Sequence, residues 1–263
     1  LITGVSTSCL YPMETERALG VLLGQGYRCF EVFLNSFREM ERPFLRELKA
    51  MGEGYGARFV SVHPFTSAME SMLLFGEYGR RVEEGYDLYA RFMEAAAYLG
   101  AGHVVVHGQL QGHGSLEDEA YWERFGEMYR RGDAAGAWPA QENVRRHRGA
   151  DPAFLAGMKA YLGPSCGFVL DVKQCRMSGF SIEAVSAAMG DKLKHVHLSD
   201  CRGDEACLLP GAGDFDLAGF AGHLRGMGYG GAVVTEVYRG GFGGEEELGW
   251  SRVQVERAFA GTM

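Results

Sequence analysis

DPAFLAGMKAYLGPSCGFVLDVKQC, residues 151–175, decides the fold. DPAFLAGMKAYLG carries apolar residues at helical spacing and ends in Gly163, which suits a left-handed helix C-cap. GFVLDV (167–172) then reads as a buried strand, with Gly167, Val169 and Asp171 sharing one face. A carboxylate delivered by an apolar strand is costly to bury unpaired, so Asp171 demands a partner.

The same unit recurs along the chain as a short apolar β-rich run, a polar or glycine-rich loop, and a helix. Strands are expected at 2–8 (ITGVSTS), 28–34 (RCFEVFL), 57–63 (ARFVSVH), 103–108 (HVVVHG), 138–143 (WPAQEN), 167–172, 194–200 (KHVHLSD) and 232–238 (AVVTEVY). The repeat averages about 30 residues, the size of a βαβ unit. Eight such units in 263 residues fit a (β/α)8 barrel, an α/β fold built as one domain over 1–263. An open doubly wound sheet is the alternative, but no GxGxxG or GxxxxGK[ST] phosphate loop supports it.

Composition excludes little and tilts the rest. Hydrophobic residues make up 46% and charged residues 23%, as in ordinary globular proteins. No apolar run approaches the roughly 18 residues of a membrane span. The N-terminal stretch lacks the basic flank and apolar core of a signal peptide, although the chain starts at Leu1 rather than Met. Six scattered cysteines without a CxxC read as free thiols in a reducing cytoplasm. A formal charge of −8 disfavours a nucleic-acid partner, whose affinity comes mainly from phosphate neutralisation.

In such a barrel the active site lies where the strands end. Alternation places His63, His107, Glu142, Asp171, His197 and Glu236 inward at the ends of strands three to eight. One histidine there is more often structural than functional. Three carboxylates in one mouth would repel each other or stay protonated, and a divalent metal removes that cost. The mixed oxygen and nitrogen set of Glu142, Asp171, His197 and Glu236 suits Mn, Co, Fe or Zn.

The contexts QENV, LDV, HVHLSD and TEVY carry Glu, Asp, His and Glu in that order. The sequence thereby resembles the xylose-isomerase-like TIM-barrel superfamily, which includes ketose 3-epimerases, hydroxypyruvate isomerase, inosose dehydratase and endonuclease IV. Resemblance to the epimerases implies one divalent ion and a sugar or polyol substrate. It also implies proton exchange by Glu142 and Glu236 on opposite faces of the carbon beside the carbonyl, through a metal-stabilised enediolate. His63 and His107 would then bind substrate hydroxyls. Resemblance to endonuclease IV implies three zincs, with His63, His107 and Glu142 holding the second. The third needs a histidine three residues after Asp171, where this chain has Gln174, and an Asp-x-His pair that CRGDEACLLPGAGDFD lacks. The reading is therefore a metal-dependent sugar or sugar-phosphate isomerase or epimerase. The alternatives are a dinuclear zinc phosphoesterase, an inosose-type dehydratase, or a binding protein without turnover.

Other residues near the mouth have weaker claims. Gln174, Arg202 and Lys173 are candidates for substrate binding, the last two through a substrate carboxylate or phosphate. Arg145, Arg146, Arg148 and Arg239 read as solvated loop charge. Glu31, inward near the end of strand two, is a candidate either for substrate or for orienting a ligand. The apolar segment PFTSAMESMLLFGEYG suggests core packing or a contact between copies of the chain, hence a homo-oligomer, with a lid as the second reading.

Overall fold

The computed structural model describes residues 1–114 and 116–260. Eight parallel strands close into a barrel: β1 (Ile2–Ser6), β2 (Cys29–Leu34), β3 (Arg58–Pro64), β4 (His103–Val106), β5 (Trp138–Glu142), β6 (Phe168–Asp171), β7 (Leu193–Leu198) and, after a hairpin of β8 (Asp200–Arg202) and β9 (Glu205–Leu208), β10 (Ala232–Thr235). The barrel order is β1-β10-β7-β6-β5-β4-β3-β2, closed by the register Ile2↔Ala232.

Helix-facing side chains of the strands, such as Val32, Val62, Val104, Val106, Leu170, Val196 and Val233, pack into one continuous core with the surrounding helices. Val105, Ala140 and Val169 form a separate plug inside the barrel. Helices end as their glycines dictate: Gly100, Gly136 and Gly179 follow Leu99, Ala135 and Ser178 in the left-handed conformation. All six cysteines are free.

The strands start within a residue of the sequence expectation, but most end earlier. β10 stops at Thr235 rather than 238, although the Glu236 N–H still donates to Leu198 O at 2.9 Å. β6 passes without a loop into a helix at Val172–Ser178, so Asp171 serves as both strand end and helix cap. The stretch after strand seven, expected to be loop, folds back as the β8–β9 hairpin. In the apolar segment after β3, Leu74 and Phe75 are fully buried, which is core packing, while Met69 and Met72 are exposed.

Candidate active site and metal centre

The last four barrel strands in sequence, β5, β6, β7 and β10, are contiguous in the wall. Their ends bring ligand-capable atoms of Glu142, Asp171, His197 and Glu236 within 4.8 Å of one another. Asp171 and His197 face each other in register across β6 and β7. His197 Nδ1 lies 3.1 Å from Glu142 Oε1 and 3.4 Å from Glu236 Oε2.

Electrostatics set these groups against one another. Burial, with Glu142 and Glu236 adding to it against Lys173, pushes the Asp171 carboxyl up to about 7. Burial would raise Glu142 too, but the adjacent imidazoles of His107 and His197 hold it well below the carboxylate range. His197 is held well above the usual imidazole range: burial opposes its charge, and Glu236 and Glu31 outweigh burial. Asp171 Oδ2 and Glu142 Oε2 are buried without a hydrogen bond. Their nearest cationic partners, Lys173 Nζ at 3.4 Å and His107 Nε2 at 3.1 Å, are within ion-pair range but outside hydrogen-bond geometry. Unpartnered buried carboxylate oxygens beside an imidazole nitrogen are what a divalent cation satisfies, so the residues fit a metal.

A second cluster shares Glu142. His63 Nε2 lies 3.1 Å from His107 Nε2, and the ligand atoms of His63, His107 and Glu142 also fall within 4.8 Å of one another. Burial and the neighbouring His107 lower the His63 pKa. A third cluster lies deeper in the barrel, where Glu31 Oε2 is 3.0 Å from His197 Nε2, 3.2 Å from His195 Nε2 and 2.8 Å from Ser61 Oγ. Glu31 is fully buried behind His197, away from the cavity wall.

Lys173 is buried, with its ammonium 3.4 Å from both Asp171 Oδ2 and Glu236 Oε2 and 4.7 Å from the Tyr238 ring centre. Gln174 lines the cavity, and its Oε1 accepts the Arg145 N–H at 2.9 Å. Arg202 is not brought to the site. The hairpin carries it outward, 59% exposed, with Nε 3.8 Å from Asp214. Arg148 is no loose loop charge either, since it donates to Gln109 Oε1, Leu116 O and Asp118.

Several supporting residues escaped the sequence reading. Asn143 clamps the Asp171 backbone, accepting its N–H at 2.7 Å and donating to its carbonyl at 3.1 Å. Gln141 ties β5 to the β4 exit through Val106 O and His107 O. Glu70, fully buried, accepts the Gly108 N–H at 2.5 Å and the Tyr89 hydroxyl. Gly108 has φ 84°, and a Cβ there would strike Tyr121 Oη. Gln141 and Asn143 could have been found as amides on the helix-facing parity of a buried strand, where only a hydrogen-bonded polar group is tolerated. Glu70 carried no such signal.

Above these groups lies a cavity of about 510 Å³. Its lining combines His63, His107, Glu142, Lys173, Gln174 and Glu236 with Tyr11, Phe33, Phe65, Val237 and Tyr238.

The chain belongs to the xylose isomerase-like TIM barrel family, whose pattern matches residues 22–254. No curated protein matches it. Among solved structures it is similar to the 3-keto-D-glucoside 4-epimerase YcjR from E. coli, at 16% identity and TM-score 0.78 over 98% of this chain and 99% of that one. It is also similar to D-psicose 3-epimerase with D-tagatose from Clostridium cellulolyticum H10, at 15% identity and TM-score 0.77 over 99% and 97%. D-allulose 3-epimerase from Methylomonas sp. with D-allulose gives 15% identity and TM-score 0.79 over 98% and 96%. At these identities the likeness shows the fold. Among the described residues no helix is long and apolar enough to cross a membrane.

Proposed function

We propose that the protein is a divalent-metal-dependent sugar isomerase or epimerase that transfers a proton at the carbon beside a substrate carbonyl. The observation that carries this reading is the convergence of Glu142, Asp171, His197 and Glu236 within 4.8 Å, two of their buried oxygens unpartnered, with Glu142 and Glu236 lining a cavity. Glu142, Asp171, His197 and Glu236 would hold the ion. When bound, it polarises the substrate carbonyl and stabilises the charge that develops on it.

Glu142 ends β5 and Glu236 follows β10, strands separated in the wall by β6 and β7, which supports a reading in which the two carboxylates act on a bound sugar from different sides. One takes the proton and the other returns one, the arrangement an enediolate route requires. His63 and His107 offer hydrogen bonds to substrate hydroxyls, and Gln174 adds an amide. Lys173 holds Glu236 and Asp171 in place. The solved neighbours named for epimerases of keto-glucosides and ketoses support the same class of chemistry.

The test is hydrogen exchange: metal-loaded protein in D2O, a panel of ketoses, and deuterium read at the carbon beside the carbonyl. Exchange into at least one sugar is expected; a silent panel of free and glycosidic keto sugars would sink the proposal.

The cluster of His63, His107 and Glu142 supports a second reading, a dinuclear zinc phosphoesterase. Two zincs per chain together with hydrolysis of a generic phosphodiester would put it first.

A further inference from the structure

We infer that the substrate is an uncharged keto sugar bearing an apolar or aromatic substituent, rather than a sugar phosphate or sugar acid. This rests on the isomerase or epimerase reading and specifies its substrate class.

The first line of support is charge. Two side chains lining the cavity carry a fixed positive charge, Lys173 and Arg239, and both are engaged. An ammonium has three N–H donors. Lys173 donates to Glu236 Oε2 at 3.4 Å, lies within ion-pair range of Asp171 Oδ2 at 3.4 Å, and sits 4.7 Å from the Tyr238 ring centre. Arg239 donates to Phe242 O at 3.0 Å and Gly243 O at 3.2 Å and lies over the Phe242 ring. His107 is paired with Glu142. One dication, the Lys173 ammonium and the Arg239 guanidinium together only balance the four carboxylates of Glu142, Asp171, Glu236 and, behind His197, Glu31. A phosphate or carboxylate entering this cavity would meet no net positive charge while losing its hydration.

The second line is shape. His63, Glu142 and Lys173 are buried at the floor, whereas Tyr11 and Tyr238 are 56% and 63% exposed at the mouth. Between them run Phe33, stacked edge-on against both Tyr11 and His63, and Phe65, edge-on against Phe37. The cavity thus changes from ionisable groups to an aromatic collar along its depth. A sugar ring at the floor satisfies the polar groups, and a substituent on that ring is what the collar can cover.

The measurement is calorimetric binding of three unreactive probes to the metal-loaded protein: methyl β-glucoside, para-nitrophenyl β-glucoside and glucose 6-phosphate. The nitrophenyl glycoside should bind about tenfold more tightly than the methyl glycoside, and the phosphate at least about tenfold more weakly. Tyr11→Ala and Tyr238→Ala should each reduce the nitrophenyl preference to about threefold or less while methyl glucoside binding persists. Equal or tighter binding of the phosphate, equal binding of the two glycosides, or no binding of any probe would overturn the inference. Deuterium exchange into ketoses is scored separately. Exchange without the nitrophenyl preference removes this inference alone, and absence of exchange removes the reading beneath it.

Discussion

Glu31 Oε2 stands 3.0 Å from His197 Nε2, while His197 Nδ1 faces Glu142 and Glu236. A carboxylate can only accept here, so the contact keeps a proton on Nε2, and Nδ1, which is paired with Glu142, is the nitrogen that would give up its proton to a bound cation. His195 and Ser61 meet the same Glu31 oxygen and fix it in turn. Glu31→Gln should keep the fold and weaken Mn or Co binding by about 10- to 100-fold. Titration of chelator-stripped protein measures this, and an unchanged dissociation constant would remove Glu31 from any positioning role.

Asp171 tests the centre itself. Asp171→Asn removes a charge from the crowded set but keeps an acceptor for the Gln174 N–H that Oδ1 now receives at 3.1 Å. Protein purified without chelator should contain about one Mn- or Co-type ion per chain, and the Asn variant should contain almost none. Because bound metal stabilises only the folded chain, stripping should also lower the melting temperature of the wild type and leave the variant unmoved. Identical melting with and without metal would count against the site.

Glu142 and Glu236 are separable from binding. Replacing either by Gln keeps an oxygen for a ligand yet abolishes its use as a base. Deuterium exchange should fall by about 10²- to 10⁴-fold in each variant, with sugar affinity changed far less. Exchange at wild-type rate in both would exclude these carboxylates as the proton carriers.

The barrel was legible because apolar runs of period two alternate with helical runs and end in glycine, a pattern local enough to read from the chain. His63, His107, Glu142, Asp171, His197 and Glu236 were legible for the same reason, since parity along a strand fixes the face. Arg202 was misplaced because closeness in sequence to His197 does not survive the β8–β9 hairpin, whose short charged strands lack any apolar alternation. The aromatic collar was invisible because Tyr11, Phe33 and Tyr238 come from three loops or strand ends that only barrel closure brings together.

Glu70 is a carboxylate on a short helix that holds the β4 exit, and hence His107, through the Gly108 N–H and the Tyr89 hydroxyl. Truncation would orphan both donors in a dry interior. Glu70→Ala should cost about 2–4 kcal/mol in urea unfolding, and Glu70→Gln, which restores an acceptor, much less. Equal stability of the Ala variant and wild type would show that the clamp is dispensable.

His103 opens β4 at the opposite end of the barrel from the site, in register with Ser61 and Trp138. Burial, reinforced by His195 and Lys194, pushes its pKa down to about 4. An unfolded histidine titrates near 6.5, so below that pH the unfolded chain takes up a proton that the native one refuses. Stability should therefore be insensitive to His103 above about pH 6.5 and fall progressively as pH drops toward 4. Partial exposure screens the effect, leaving about 1–2 kcal/mol at the acid end. Urea unfolding of wild type and His103→Gln between pH 7.5 and about 4.5 measures the difference. The variant should lose stability less steeply on acidification, and parallel curves would mean that His103 is protonated in the folded protein.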